Sequence, residues 1–382
     1  MNYEILRFIW WILIGVLLIG FAIMDGHDMG VGILSPFVGK TDLERRVAIN
    51  SVAPHWDGNQ VWFVTAGGAV FAAWPLVYAT SFSILYIAIL ALLWTIFLRA
   101  PAFEYRVKIA NKTWRTTWDW VLFTGSAVPA LLFGVAFGNL FLGIPFHFDE
   151  SMRLISDASS PLMGFLSLLS PFAVLSGLVS FSMITAHGGI YLTMRTDGFI
   201  QNKARIYAAV FSVLTIIFFA LAGFYLSHLN GYIAVNLNHN GPSNPLDKAV
   251  ILAHGAWLNN YLANPITKLI PILAFGSLII SLLTNLILKK SGIAFIFSGM
   301  GMAFIILTAG VSLFPFILPS NSVLNSSLTV WDATSSQHTL LLMLIAALIF
   351  TPIILIYTSW VYKIMQGKLT TAKIKENSNA YY

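Results

Sequence analysis

The sequence predicts an all-α integral membrane protein of about nine transmembrane helices, and three observations carry that prediction. Of its 382 residues 58% are apolar and only 9% charged, where a soluble domain carries about 25%. The mean hydropathy is +0.80. Apolar stretches long enough to cross the hydrocarbon layer, roughly 20 residues for about 30 Å, recur along the whole chain. The 12 Trp and 13 Tyr suit the membrane–water interfaces, where amphipathic rings settle.

Taken in order, the spans are expected near 8–36, 54–74, 77–99, 117–143, 161–191, 205–227, 265–288, 293–317 and 338–363, within one transmembrane domain covering 1–382. The second and third are separated at Trp74-Pro75, because proline disfavours helical geometry in the residue before it. The first stretch outruns a signal-peptide core and lacks a small-residue cleavage site, so it reads as a retained span. Residues 228–264, rich in Asn, Gly and His, and residues 318–337 form the longer loops on one side. The Ser/Thr/Asp run at Asp332–Ser336 reads as the capped start of the last helix.

Basic residues set the orientation. With the N-terminus outside and strict alternation, the inner segments carry Lys40, Arg45 and Arg46; Arg99, Arg106, Lys108, Lys112 and Arg115; Arg195, Lys203 and Arg205; Lys289 and Lys290; and Lys363, Lys368, Lys373 and Lys375. Only Arg7, Arg153, Lys248 and Lys268 fall outside, so 17 of the 21 Lys and Arg are inside. That asymmetry predicts an N-out, C-in topology, and a missed span would scramble it.

The net charge of +6 therefore reports topology, and no nucleic-acid partner is expected. With no cysteine there is no disulfide, thiolate metal site or covalent c-type haem attachment. Phosphate-binding glycine loops, catalytic triads and zinc motifs are absent from the sequence, so no metal site is expected.

Charged side chains inside spans are costly, about 2.5–3.5 kcal/mol near a helix centre on insertion scales, and they mark function. The first span contains Asp25-Gly26-His27-Asp28-Met29-Gly30-Val31-Gly32. Asp25 and Asp28 share a helix face, and the glycines allow a second helix to approach closely. The second span opens Pro54-His55-Trp56-Asp57-Gly58-Asn59-Gln60, with Asp57 in its first turn. Arg99 ends the third span and Glu104 follows it. The topology puts Asp25, Asp28, Asp57 and Arg99 toward the cytoplasm, as a polar inlet that stops short of the outer face. The plainer readings make Asp57 a helix-start carboxylate and Arg99 a snorkelling anchor. His27, His55, His187 and His254 are formal candidates for haem ligation, but no pair occupies equivalent places on two facing spans.

Several segments are similar to those of subunit II of the cytochrome bd-type quinol oxidases: Tyr3–Trp11, Asp25–Gly32, Ala53–Trp62 and Ser327–Ala333 with its serine-rich continuation. The likeness runs from the N-terminus to the last span. It implies two four-helix bundles plus one peripheral helix, and pairing with a subunit I that holds two b-type haems, haem d and the quinol-oxidising loop. It also implies a small single-span accessory subunit, quinol and O2 as substrates of the complex, and residence in the bacterial inner membrane. A structural quinone against this subunit belongs to the same expectation. The acidic residue of the Trp-Asp-Gly motif, Asp57 here, is implied in a proton path at the subunit interface, with Asp25, Asp28 and Arg99 as companions and His27, His55, Trp56, Gln60 and Glu104 in support. No catalytic residue is expected in this chain. The competing reading is a free-standing proton-coupled transporter using the same aspartates; an odd span number and the lack of an inverted repeat weigh against it.

Overall fold

A computed structural model describes residues 2–376; Met1 and 377–382 lie outside the described residues. The helices in chain order are α1 Tyr3–Val38, α2 Asp42–Asn50, α3 Trp56–Ala73, α4 Pro75–Ile84, α5 Tyr86–Phe97, α6 Arg99–Tyr105, α7 Lys112–Leu142, α8 Pro161–Ser167 and α9 Pro171–Arg195. They continue with α10 Gly198–Ser227, α11 Asn259–Ala263, α12 Leu269–Leu286, α13 Ser291–Leu313, α14 Gln337–Ile364 and α15 Thr371–Glu376. Among the described residues, eight helices are long and apolar enough to cross a membrane, or nine when the bent pair α3–α4 is counted as one span.

The chain turns through 117° between α3 and α4. The turn falls at Trp74-Pro75, as the proline requires: Trp74 takes φ −130° and ψ 71°, and Pro75 starts the next helix where its missing N–H is harmless. The third span differs from expectation. The apolar helical run here is Tyr86–Tyr105, made of α5 and α6 with a break at Leu98, and Arg99 opens the second of them. The fifth is also shortened: Pro161–Ser167 is a separate short helix, and Pro171 opens α9 with the Ser170 hydroxyl capping Ala173 N–H. The eighth ends at Leu313, and Phe316–Leu318 pairs as a strand with Leu328–Thr329.

Helices α9, α10, α12 and α13 close a four-membered ring, each touching the next. The chain's first half fans out from α1, with α3 and α7 against α1 and α5 against α7. The halves join where α1 meets α9 and α13 and where α7 meets α9, while α14 packs mainly on α1 at the periphery. The α1–α9 crossing is a glycine contact: a Cβ added at Gly30 would lie 2.8 Å from Gly188 Cα. Small residues let two backbones touch where lipid supplies no hydrophobic drive to bring helices together.

The loops sort to two faces. On the face that carries the N-terminus, Arg7 is fully buried and clamps both long loops. It donates to Thr334 Oγ1 at 2.8 Å, to the His239 carbonyl at 2.7 Å and to the Gly241 carbonyl at 3.0 Å. Here Asn230–Val235 and Ala249–His254 form a hairpin, and Lys248 pairs with Asp332 at 2.8 Å. Burial pushes the Lys248 ammonium below the ordinary lysine range, and Asp332 offsets part of that shift. Asp332 thus serves this pair and the Thr329 N–H, and the cap of the last helix is Ser336. On the opposite face, Arg106 and Arg45 grip Asp119 at 2.6 and 2.8 Å, while Asp42 takes Arg106 and Arg115 at 2.8 and 2.6 Å. Segments assigned to one side by their charges therefore meet on one face.

Candidate functional site

The site is assembled where α1, the start of α3 and α6 meet, with α9 and α14 behind. Asp25 and Asp28, three residues apart on α1, take different partners. Asp25 is bidentate with Arg99, Oδ1 to Nη2 at 2.7 Å and Oδ2 to Nη1 at 2.9 Å. Both side chains are essentially inaccessible, Arg99 at 0% and Asp25 at 1% exposure. Two parallel N–H···O bonds are the geometry in which a guanidinium offsets its own desolvation best. Arg99 is therefore a buried ion-pair partner, and the snorkelling alternative does not hold. The Trp56 indole lies 5.5 Å from the guanidinium carbon and stacks on Phe103 at 5.1 Å, walling the pair from its far side.

Asp28 serves a second cluster. Its Oδ2 accepts from Asn59 Nδ2 at 2.7 Å, and its Oδ1 faces His27 Nε2 at 3.2 Å and His55 Nδ1 at 3.4 Å. His55 Nε2 meets the Tyr191 hydroxyl at 3.0 Å, and that hydroxyl donates to the Ser51 carbonyl at 3.1 Å. Tyr362 of α14 reaches in to Asn59, with its hydroxyl 2.9 Å from Oδ1. His187 bonds Ser298 and the Ile23 carbonyl, and its ring lies 6.2 Å from that of His27.

Around the first turn of α3 the side chains divide. His55, Trp56 and Asn59 turn toward the buried groups, whereas Asp57 and Gly58 turn out. Asp57 is exposed and heads a stripe of exposed positions, Val61, Val64, Gly68 and Phe71, at helical spacing. Gln60 is half-buried and Glu104 exposed, and neither hydrogen-bonds to the two clusters. His254 sits apart, in the hairpin beside His228. The structure thus joins Asp25 with Arg99 and Asp28 with His27 and His55, and sets Asp57 on the adjoining surface. Asn59 stands in the Pro54–Gln60 motif one turn beyond His55, and His187 is among the histidines the sequence singles out; Tyr191 and Tyr362 lie more than a hundred residues away in sequence and left no local signal.

A second feature has no counterpart in the sequence reading. A cavity of about 690 Å³ runs between α1, α7, α9, α10, α12 and α13. Its walls are apolar, with Phe21, Phe133, Phe219 and Phe275 among them, and His254, Asn259 and Lys268 stand at the end nearest the hairpin.

These features define a multi-pass helical membrane protein with a buried ion-pair centre and a lipid-sized cavity. A family model described as cytochrome bd terminal oxidase subunit II matches residues 6–365. Cytochrome bd-I ubiquinol oxidase subunit 2 of Escherichia coli (strain K12) is 49% identical over 383 residues, covering 100% of both chains. Probable cytochrome oxidase subunit 2 of Haemophilus influenzae is 49% identical over 385 residues, again covering 100% of both chains. Cytochrome bd ubiquinol oxidase subunit 2 of Bacillus subtilis is 32% identical over 95% of this chain and 96% of its own. Among solved structures, the bd oxidase from Geobacillus thermodenitrificans shares the fold, with a TM-score of 0.70 at 16% identity over 94% of this chain and 98% of that one. The chain belongs to the cytochrome bd terminal oxidase subunit II family. It is accordingly one subunit of an oxidoreductase complex, with a subunit I as its partner, and the free-standing transporter finds no support.

Proposed function

We propose that this chain supplies the cytoplasmic proton inlet of a bacterial inner-membrane oxidase that reduces O2 to water with electrons from quinol. Subunit I holds the b-type haems and haem d, oxidises the quinol and completes the inlet; a small single-span subunit accompanies the pair. The observation that carries this reading is the placement of Asp57. A carboxylate heading an exposed apolar stripe would face hydrocarbon unless another subunit covered it, and such residues face protein or water. Directly behind it lie two buried carboxylates with an arginine and two histidines, the groups a proton relay uses. The names of the ubiquinol oxidase relatives support the substrate, and the charge asymmetry supports the N-out orientation.

Asp57→Asn tests the inlet. Because Asp57 is exposed and no hydrogen bond or ion pair ties it to the described residues, the variant complex is expected to assemble with native haem content. Its oxygen consumption should fall by about tenfold or more, since positioned proton-transfer groups contribute at least that much. Native oxygen consumption in a fully assembled variant would remove Asp57 from the path; loss of the complex would make it an assembly contact.

The cavity suits a structural quinone. Its walls match an isoprenoid tail, and His254, Asn259 and Lys268 offer hydrogen-bond donors to a quinone ring. Gly223 lines it, and a Cβ there meets nothing within 4 Å. Gly223→Phe starts from that open Cβ position, and its ring is expected to take up part of the cavity and to lower the quinone extracted per complex. Unchanged quinone content would place that quinone elsewhere.

A further inference from the structure

The second cluster contains a proton that its hydrogen-bond partners require. His27 Nδ1 faces the Ile23 carbonyl at 3.0 Å, and a carbonyl only accepts, so Nδ1 carries hydrogen. In a neutral ring His27 Nε2 is then a bare lone pair, and it points at Asp28 Oδ1 at 3.2 Å. Among the described residues neither atom has a hydrogen-bond partner, and both residues are 1% exposed. A bare nitrogen and a carboxylate oxygen facing each other in so dry a place would leave two buried acceptors unsatisfied.

His55 does not supply the missing hydrogen. The Tyr191 hydroxyl gives its one hydrogen to the Ser51 carbonyl, so His55 Nε2 donates to that hydroxyl and carries the hydrogen of a neutral ring, which leaves Nδ1 a bare lone pair. The two hydrogens of Asn59 Nδ2 are shared among Asp28 Oδ2 and the Tyr362 hydroxyl, each at 2.7 Å, and His55 Nδ1 at 3.1 Å. The other charged and titratable groups around the pair are committed elsewhere: Asp25 and Arg99 to each other, His187 to Ser298 and Ile23, and Tyr362 to Asn59.

We propose that His27 and Asp28 share one proton, forming a proton-loading site at the buried end of the inlet. The proton sits on Asp28 Oδ1 and is accepted by His27 Nε2, or sits on Nε2 and is accepted by the Oδ1 carboxylate. The transfer breaks one O–H bond, forms one N–H bond and leaves the pair's net charge at zero. Neutrality lets the site stay loaded beside the Asp25–Arg99 pair without a buried net charge. The Nδ1 of its neighbour His55 lies 3.4 Å from Oδ1, and this ring is the route by which the proton enters or leaves. The proposal rests on the inlet reading and adds to it a site that stores the proton.

The test uses the purified whole complex. Asp28→Asn and His27→Gln keep side-chain volume while removing the acid or the base. Each is expected to retain haem content, to slow oxygen consumption on the order of tenfold, and to enlarge the deuterium solvent isotope effect. The loss stays below the hundredfold or more seen when a group transfers its proton in the chemical step, because this site only supplies protons. The double variant should be no slower than the slower single variant, as for two residues acting as one unit. Additive losses, or variants with native rate and isotope effect, would reduce the pair to packing and overturn the proposal. So would a divalent metal found at one per native complex and absent from His27→Gln, since a cation would then sit where the proton is placed. If Asp57→Asn is also at native rate, the inlet reading itself has failed; if it alone is slow, the inlet stands and the shared proton falls.

Discussion

Replacing Arg99 by Met is expected to cost about 3–5 kcal/mol, the usual loss when one partner of a buried ion pair is removed and the other charge stays behind. Asp25 is 1% exposed and both its oxygens are engaged by Arg99, so removing the guanidinium leaves a buried carboxylate without its counter-charge. The single variant should yield little complex, with haem released at a much lower temperature. Replacing both members, Asp25→Leu with Arg99→Met, should recover most of the assembly, because apolar groups of similar volume often replace a buried pair at little cost. Oxygen consumption should not recover with it if the pair belongs to the proton path. A single Arg99→Met complex as stable as the native one would mean that the two charges are not the buried pair described.

The second large effect is expected at the glycine crossing that joins the two halves of the molecule. A Cβ at Gly30 would lie 2.8 Å from Gly188 Cα and 2.9 Å from Gly188 N. Both are backbone atoms and cannot rotate aside as a side-chain end would. Overpacking costs about 1–3 kcal/mol in soluble cores and occasionally more, and Gly30→Leu should lie at or beyond that upper end, with α1 and α9 forced apart. Gly15, on the same helix, meets nothing within 4 Å, so Gly15→Ala is the matched control and should leave yield and heat stability unchanged. Equal tolerance at both positions would contradict the close crossing.

Much of the frame was legible because membrane physics writes it into composition. Span number followed from apolar length, and the break at Trp74-Pro75 from proline's steric demand. Loop pairing followed from charge: Arg45, Arg106 and Arg115 do meet on one face, bridged by Asp42 and Asp119. What the sequence hid depends on length and distance. Helix α6 carries the chain on from Arg99 to Tyr105, and the buried Asp25 partner removes the penalty that makes such a charge look like a helix end. Asp25 and Asp28 were legible as outliers, but their separate partners were not, since Arg99 and Asn59 lie on different helices. Charge topology puts Asp57 on the same side as those groups, but hydropathy does not show which way its side chain faces, and it points out from α3. The apolar cavity left no signal, since its lining residues resemble any other helix-packing face.

The most direct test of the central claim is made on the complex reconstituted in closed vesicles of known orientation, with a pH indicator in each compartment during quinol oxidation. The account predicts that protons consumed in oxygen reduction disappear from the compartment facing the Asp42, Arg45 and Arg106 end of this chain. Their disappearance should slow together with oxygen uptake in Asp57→Asn. Consumption from the compartment facing the Arg7 end, or an Asp57→Asn complex that draws protons at the native rate, would contradict it.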